Sequence, residues 1–92
     1  MPVVRVHSYH VESDQLCALL AQRAVLIDEI RSSHPGLTET RFTRLDDGTY
    51  TDTWRWASAE QMLAAFGSSW AYPLLSAITD ATVRTGEIID ER

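Results

Sequence analysis

Between Tyr50 and Trp56 the chain reads Tyr-Thr-Asp-Thr-Trp-Arg-Trp. Successive side chains of a strand point to opposite sides, so Tyr50, Asp52, Trp54 and Trp56 share one face and Thr51, Thr53 and Arg55 the other. A carboxylate among indoles costs several kcal/mol to bury unless it is paired. The same arrangement sets a general base or an orienting acceptor against a flat aromatic substrate. Across a four-residue connection, Arg41 is expected opposite Trp54 and beside Asp52, as a partner for that carboxylate. His7 on the first strand is the third candidate for proton handling, which makes Asp52, Arg41 and His7 the catalytic set. Tyr50, Trp54 and Trp56, with Trp70 and Tyr72 further along, would wall an aromatic pocket.

Each of these residues also has a plainer reading. Large aromatics on a central strand fill cores, their N–H groups still seeking acceptors. Asp52 with Arg41 would then be a structural pair. Arg5, His7 and Tyr9 would be polar residues on the sheet face that meets another subunit. Trp70 and Tyr72 would be packing residues beside a break between two short helices.

Other chemistries find little support. Cys17 is the one cysteine, so an intrachain disulfide and a cysteine-based zinc site are excluded, and its apolar neighbours mark it as a small buried hydrophobe. His7 and His10 fall on opposite faces of one strand, and His34 precedes a turn. With no His-Glu-x-x-His pattern, no metal is expected. The chain has neither a Gly-x-Ser-x-Gly elbow nor a phosphate-cradling glycine loop.

The elements that must position these groups are legible in order. Val3–Val11 is an alternating strand, with Val4 and Val6 on one side and Arg5, His7 and Tyr9 on the other, the face expected to stay open. Ser13 is the expected N-cap of a helix on which Leu16, Leu19, Leu20, Arg23, Ile27 and Ile30 recur at three- and four-residue intervals. Arg23 interrupts that face and should snorkel at its edge. Pro35-Gly36 ends the helix. Strands follow at Leu37–Leu45 and Thr49–Ala57, joined through Asp46-Asp47-Gly48, a strong hairpin signal. Ser58 and Gln61 form a capping box at the head of the helix Ala59–Phe66. A second short helical piece is expected over Trp70–Ile78, then a last strand, Thr82–Ile89, with Gly86 as a bulge or the end of pairing.

That order is α+β: a ferredoxin-like βαββαβ domain with an antiparallel sheet, a single domain over residues 1–92. Strands one and three should be central, with both helices on one face. The other face is left bare, and pairing two bare faces in a twofold homodimer is a common solution.

The 92 residues carry 13 acidic against 8 basic side chains, a net charge of −5, and every basic residue is an arginine. That balance opposes nucleic-acid binding. A platform of Arg5, Arg44 and Arg55 with Tyr9 and Phe42 on the open face is the one arrangement that could support it. No apolar run approaches the roughly 20 residues that span a bilayer, and the N-terminus lacks the stretch of a signal peptide. A cytoplasmic location without membrane contact is expected.

The pattern HPGL…TRLDDGTYTDTWRWASAEQMLAA, followed by a short helix and a terminal strand, resembles the antibiotic biosynthesis monooxygenase-like domains of the dimeric α/β barrel superfamily. The resemblance implies a homodimer with its sheets face to face and a cavity between sheet and helices. Many relatives have no known activity, and those that are enzymes fall into two kinds. Some such enzymes oxidise polycyclic aromatics or quinols without metal or flavin, and others degrade haem. Haem-degrading members use an Asn on the first strand and a Trp and a His in the second helical region. This chain has no Asn and no His beyond residue 34, so no cofactor is expected and a small aromatic ligand is. The alternative is a non-catalytic homodimer that binds a small apolar ligand or serves a structural role.

Overall fold

The structure, a computed structural model, describes residues 1–67 and 78–92. Trp70 and Tyr72, and the helical piece expected around them up to residue 77, lie outside the described residues. Strand β1 (Val3–Val11) leads through a 3-10 turn, Ser13–Gln15, into helix α1 (Leu16–Ser33). Strands β2 (Leu37–Arg44) and β3 (Tyr50–Trp56) form a hairpin, helix α2 (Ala59–Phe66) follows, and β4 (Ile78–Glu87) closes the sheet. The sheet order is β2-β3-β1-β4, antiparallel throughout. This is the ferredoxin-like α+β fold expected from the order of elements.

Helix α1 buries Leu19, Leu26, Ile27 and Ile30, an i, i+7, i+8, i+11 stripe. Leu26, Ile27 and Ile30 meet Met62 and Ala65 of α2 and Val3, Leu37, Trp54 and Trp56 of the sheet in one core. A second cluster joins Tyr9, Leu19 and Tyr50, with Phe42 and Ile78 against it. Ser13 does not cap α1. It sits in the 3-10 turn, and Gln15 takes the cap position with no side-chain bond. Ser58 does cap α2, accepting from the Gln61 backbone N–H at 3.2 Å, while its hydroxyl donates to Gln61 Oε1. Cys17 is exposed, on the solvent side of α1, rather than buried.

The hairpin loop has three residues, not four. Leu45 N–H donates to Thr49 O and Gly48 N–H to Leu45 O, with Gly48 at φ 88°, a left-handed conformation that glycine adopts without strain. Arg44 therefore pairs with Tyr50, Phe42 with Asp52 and Arg41 with Thr53. A slip of one residue moves every side chain of a strand to the other face. Arg41 accordingly lies on the bare face, where its guanidinium meets Glu39 at 2.6 Å.

The β1 register brings a second correction. Arg5 pairs with Trp54, His7 with Asp52 and Tyr9 with Tyr50, so Arg5, His7 and Tyr9 face the helices. Val4 and Val6 face the bare side. Of the five residues of the nucleic-acid platform, Arg5, Arg44, Tyr9 and Phe42 are on the helix side and only Arg55 is on the bare face. Gly86 is neither a bulge nor an end, since it pairs with Val4 in regular register. The irregularity in β4 lies between Thr79 and Thr82, where two residues oppose Tyr9 alone and Asp80 takes φ 55°.

Candidate functional site

Asp52 is completely buried at the centre of the helix-side face. Its partner is Arg23, not Arg41: Arg23 Nε donates to Oδ2 and Nη2 to Oδ1, both at 2.9 Å. Trp54 Nε1 donates to Oδ1 at 3.0 Å. Arg23 thus does not snorkel at the helix edge. It points from α1 into the sheet and makes a bidentate fork on the carboxylate, with its guanidinium also 5.6 Å from the Phe42 ring centre. Three donors on one carboxylate satisfy the charge that burial would otherwise penalise.

The aromatic candidates separate in this geometry. Trp54 and Trp56 are 1% and 0% exposed, as core side chains are. Trp56 meets Phe66 edge-on, with ring centres 6.1 Å apart. Its buried Nε1 has no hydrogen-bond partner among the described residues. Tyr50 stacks on Phe42 at 5.3 Å and accepts at its hydroxyl from Arg44 Nε at 2.9 Å. It belongs to the second cluster, away from Trp56.

His7 is the candidate with chemical latitude. It is half-buried on β1, opposite Asp52, with its ring edge-on to Trp54 at 6.0 Å between centres. Burial pushes its pKa below the ordinary 6.5, and the neighbouring Arg5 adds to that, while Asp52 pulls the other way. Arg5 stands over the Phe66 ring at 4.3 Å. On the far side of β1, β4 is exposed from Thr79 onward, and Val83, the cross-strand neighbour of His7, is 47% exposed. β4 is thus open to solvent beside the half-buried His7, whose ring Nδ1 is itself buried.

The lowered pKa of His7 has a stability consequence. The unfolded chain binds a proton near 6.5 and the folded chain binds it only at lower pH. Stability from this group is full above 6.5 and declines as pH falls from 6.5 towards the lowered value. The melting temperature of the parent should fall more steeply over that window than that of His7→Gln, measured side by side. Equal slopes would mean that the imidazole titrates alike in both states.

Neither His10 nor His34 joins this site. His10 is on the bare side, its Nδ1 3.4 Å from Asp80 Oδ2, and His34 ends α1. Among the described residues no group of three or more His, Cys, Asp or Glu could hold a metal ion, and no helix is long and apolar enough to cross a membrane. The bare face carries a groove of about 320 Å³ between Val4, Thr53, Arg55 and the tail residues Ile88 and Glu91. There Arg55 Nε and Nη2 donate to Glu91 at 2.9 and 2.6 Å.

Arg23 is the residue that sequence reasoning missed. Its signal was present as the one charge on an otherwise apolar helical stripe, facing a strand with one carboxylate on an otherwise aromatic stripe. Two such exceptions on elements that pack together are natural partners.

The fold is shared with solved structures of antibiotic biosynthesis monooxygenase-like proteins. SnoaB, a cofactor-independent oxygenase from Streptomyces nogalater, superimposes with a TM-score of 0.75 at 15% identity over 98% of this chain and 95% of its own. A protein from Caulobacter crescentus, provisionally assigned as an antibiotic biosynthesis monooxygenase, gives 0.77 at 13% over 97% and 91%. The haem-degrading protein Rv3592 from Mycobacterium tuberculosis gives 0.69 at 19% over 100% and 99%. At these identities the likeness is one of fold. No family model and no curated protein matches the sequence.

Proposed function

We propose that this protein is a cofactor-independent monooxygenase-like enzyme, acting on a flat, electron-rich aromatic such as a quinol or anthrone, with His7 as the base. The observation that carries this reading is the placement of His7. It is an imidazole whose pKa burial holds below the ordinary 6.5, beside a carboxylate and an indole and next to the exposed strand β4. Loss of a proton to His7 would leave a carbanion or phenolate rich enough to pass electrons to oxygen. For an anthrone, one oxygen atom then enters the substrate as a carbonyl and the other leaves as water, the substrate supplying all the electrons. Arg5 would orient an oxygen of the substrate. Asp52, fully engaged by Arg23 and Trp54, supports the imidazole rather than taking the proton itself, and Arg41 has no part. The fold shared with SnoaB supports the reaction class.

An oxygen electrode with quinols and anthrones tests this directly. Uptake above buffer, reduced about 10²- to 10⁴-fold in His7→Gln, is the expected outcome for a positioned general base. No uptake by the parent would leave the non-catalytic reading. Burial of both indoles and the locked Asp52 favour that reading as a second possibility.

The same proposal includes a homodimer. Val4 and Val6 lie with Thr51 and Thr53 at the centre of a sheet face that neither helix covers, and a second copy is its natural cover. Sedimentation at micromolar concentration should give twice the subunit mass. A lone subunit at that concentration would remove the barrel from the proposal.

A further inference from the structure

We propose that Arg5 anchors a ligand site for a planar aromatic carboxylate. Its guanidinium forks the carboxylate, and the ring system lies along the apolar side chains beside it. This deepens the reading above by giving the ligand a negative charge, and it rests on that reading only for the side of the sheet on which the ligand lies.

Arg5 stands on the central strand β1, opposite Trp54 of β3 and Thr85 of β4, on the face towards the helices. It is half-buried there, with its guanidinium carbon 4.3 Å over the centre of the Phe66 ring. Trp56 braces the same ring edge-on from the core, at 6.1 Å between centres. Contact with a ring face engages the π surface of a guanidinium and leaves its in-plane N–H donors for a carboxylate.

The other arginines are engaged or lie in solvent. Arg23, Arg41, Arg55 and Arg92 each hold a carboxylate, Arg31 donates to the Leu37 carbonyl and Arg44 to the Tyr50 hydroxyl. Arg84 is exposed on the bare face, opposite Val6. Arg5 is withdrawn from solvent with no hydrogen-bond acceptor or counterion among the described residues. Residues 68–77 contain no Asp or Glu either. Of the carboxylates nearest in register on that face, Asp52 is closed by Arg23, and Glu87, opposite Val3, is exposed. A charge partly removed from water without a partner is costly, and an anionic ligand recovers that cost.

The surroundings select the anion. No other arginine of the sheet stands within two residues of Arg5 on that face. One fork in a chain of net charge −5 suits a singly charged, planar carboxylate over a phosphate dianion. They also supply apolar area. Leu63, one turn before Phe66 on α2, is 63% exposed, and Val83, two residues before Thr85 on β4, is 47% exposed. A cation beside exposed apolar side chains of two elements fits a ligand that is apolar apart from one ionised group.

Calorimetric titration near neutral pH with naphthoate and naphthol tests this, since the two share a ring system and differ in charge. The parent should bind naphthoate about tenfold more tightly, as one hydrogen bond to a charged group provides. In Arg5→Gln the two affinities should come together. Arg5→Lys keeps the charge without the fork and should retain part of the difference, and it carries the reading if Arg5→Gln does not fold. A parent that binds both alike, or neither, overturns the proposal. So does a preference that survives undiminished in a folded Arg5 variant. The titration involves no oxygen, so it fails separately from the oxygenase reading. Naphthoate held by Arg5 without oxygen uptake from quinols or anthrones sinks only the reaction, and uptake with no Arg5-dependent preference sinks only the carboxylate site.

Discussion

Replacing Arg23 by Met should destabilise the protein by about 3–5 kcal/mol, because it strands the Asp52 carboxylate in a site with no solvent access. The Arg23 side chain is 13% exposed and that of Asp52 0%, so water cannot take the place of the lost donors. The pair itself is a weaker source of net stability than that figure suggests. Both charges were desolvated to form it, and the attraction between them largely offsets that cost. The double variant Arg23→Met with Asp52→Leu should therefore recover most of the loss. Chemical denaturation of the single and double variants measures both. A single variant within about 1 kcal/mol of the parent would mean that the carboxylate is not enclosed as described. For a domain of this size each kcal/mol moves the melting temperature by about 4–8 °C, so the effect is not subtle.

Truncating Trp56 to Ala should cost a similar amount, about 3–5 kcal/mol, by leaving a cavity where α1, α2 and the sheet converge. The contrast with phenylalanine is more informative than the size of the loss. Trp56→Phe keeps most of the apolar volume and deletes an N–H that is buried without a partner among the described residues. Removing an unsatisfied donor offsets part of the lost packing, and a cost under about 1.5 kcal/mol is expected. Trp54→Phe deletes the same atom from a residue equally buried, but there the N–H holds Asp52 Oδ1. A hydrogen bond to a charged group contributes about 1.5–3 kcal/mol, so Trp54→Phe should be the more damaging of the two. Thermal melts of the three variants decide it. If Trp56→Ala melted close to the parent, the indole would be a pocket wall rather than core, and a ligand site near Phe66 would be indicated.

These two results bear on the proposed chemistry from opposite sides. Trp54 and Trp56, two of the aromatics expected to wall a pocket, are buried in the core, and Asp52, expected as a base, is held in an ion pair with Arg23.

Much of the fold was legible because its signals are local. The apolar stripe of α1, the alternation of β1 and β3, the Asp-Gly turn and the Ser58 cap each depend on residues within a few positions of one another. Alternation alone put Tyr50, Asp52, Trp54 and Trp56 on one face, and the order of elements placed β1 and β3 in the middle of the sheet. Pairing was another matter. The sequence marks a turn at Asp46-Asp47-Gly48 but leaves its length open by one residue, and that single residue decides whether Arg41 or Phe42 stands beside Asp52. The face of β1 was likewise undetermined, since valines on one side and polar residues on the other suit either orientation. Only the cross-strand register with β3 brought His7 to Asp52. The Arg23–Asp52 fork joins residues 29 positions apart on different elements; periodicity marks each as the exception on its own stripe, and only the packing of α1 on the sheet brings them together. Local spacing fixes which residues travel together on a face. Which faces meet is decided by long-range pairing and helix packing, whose energies are summed over the whole core.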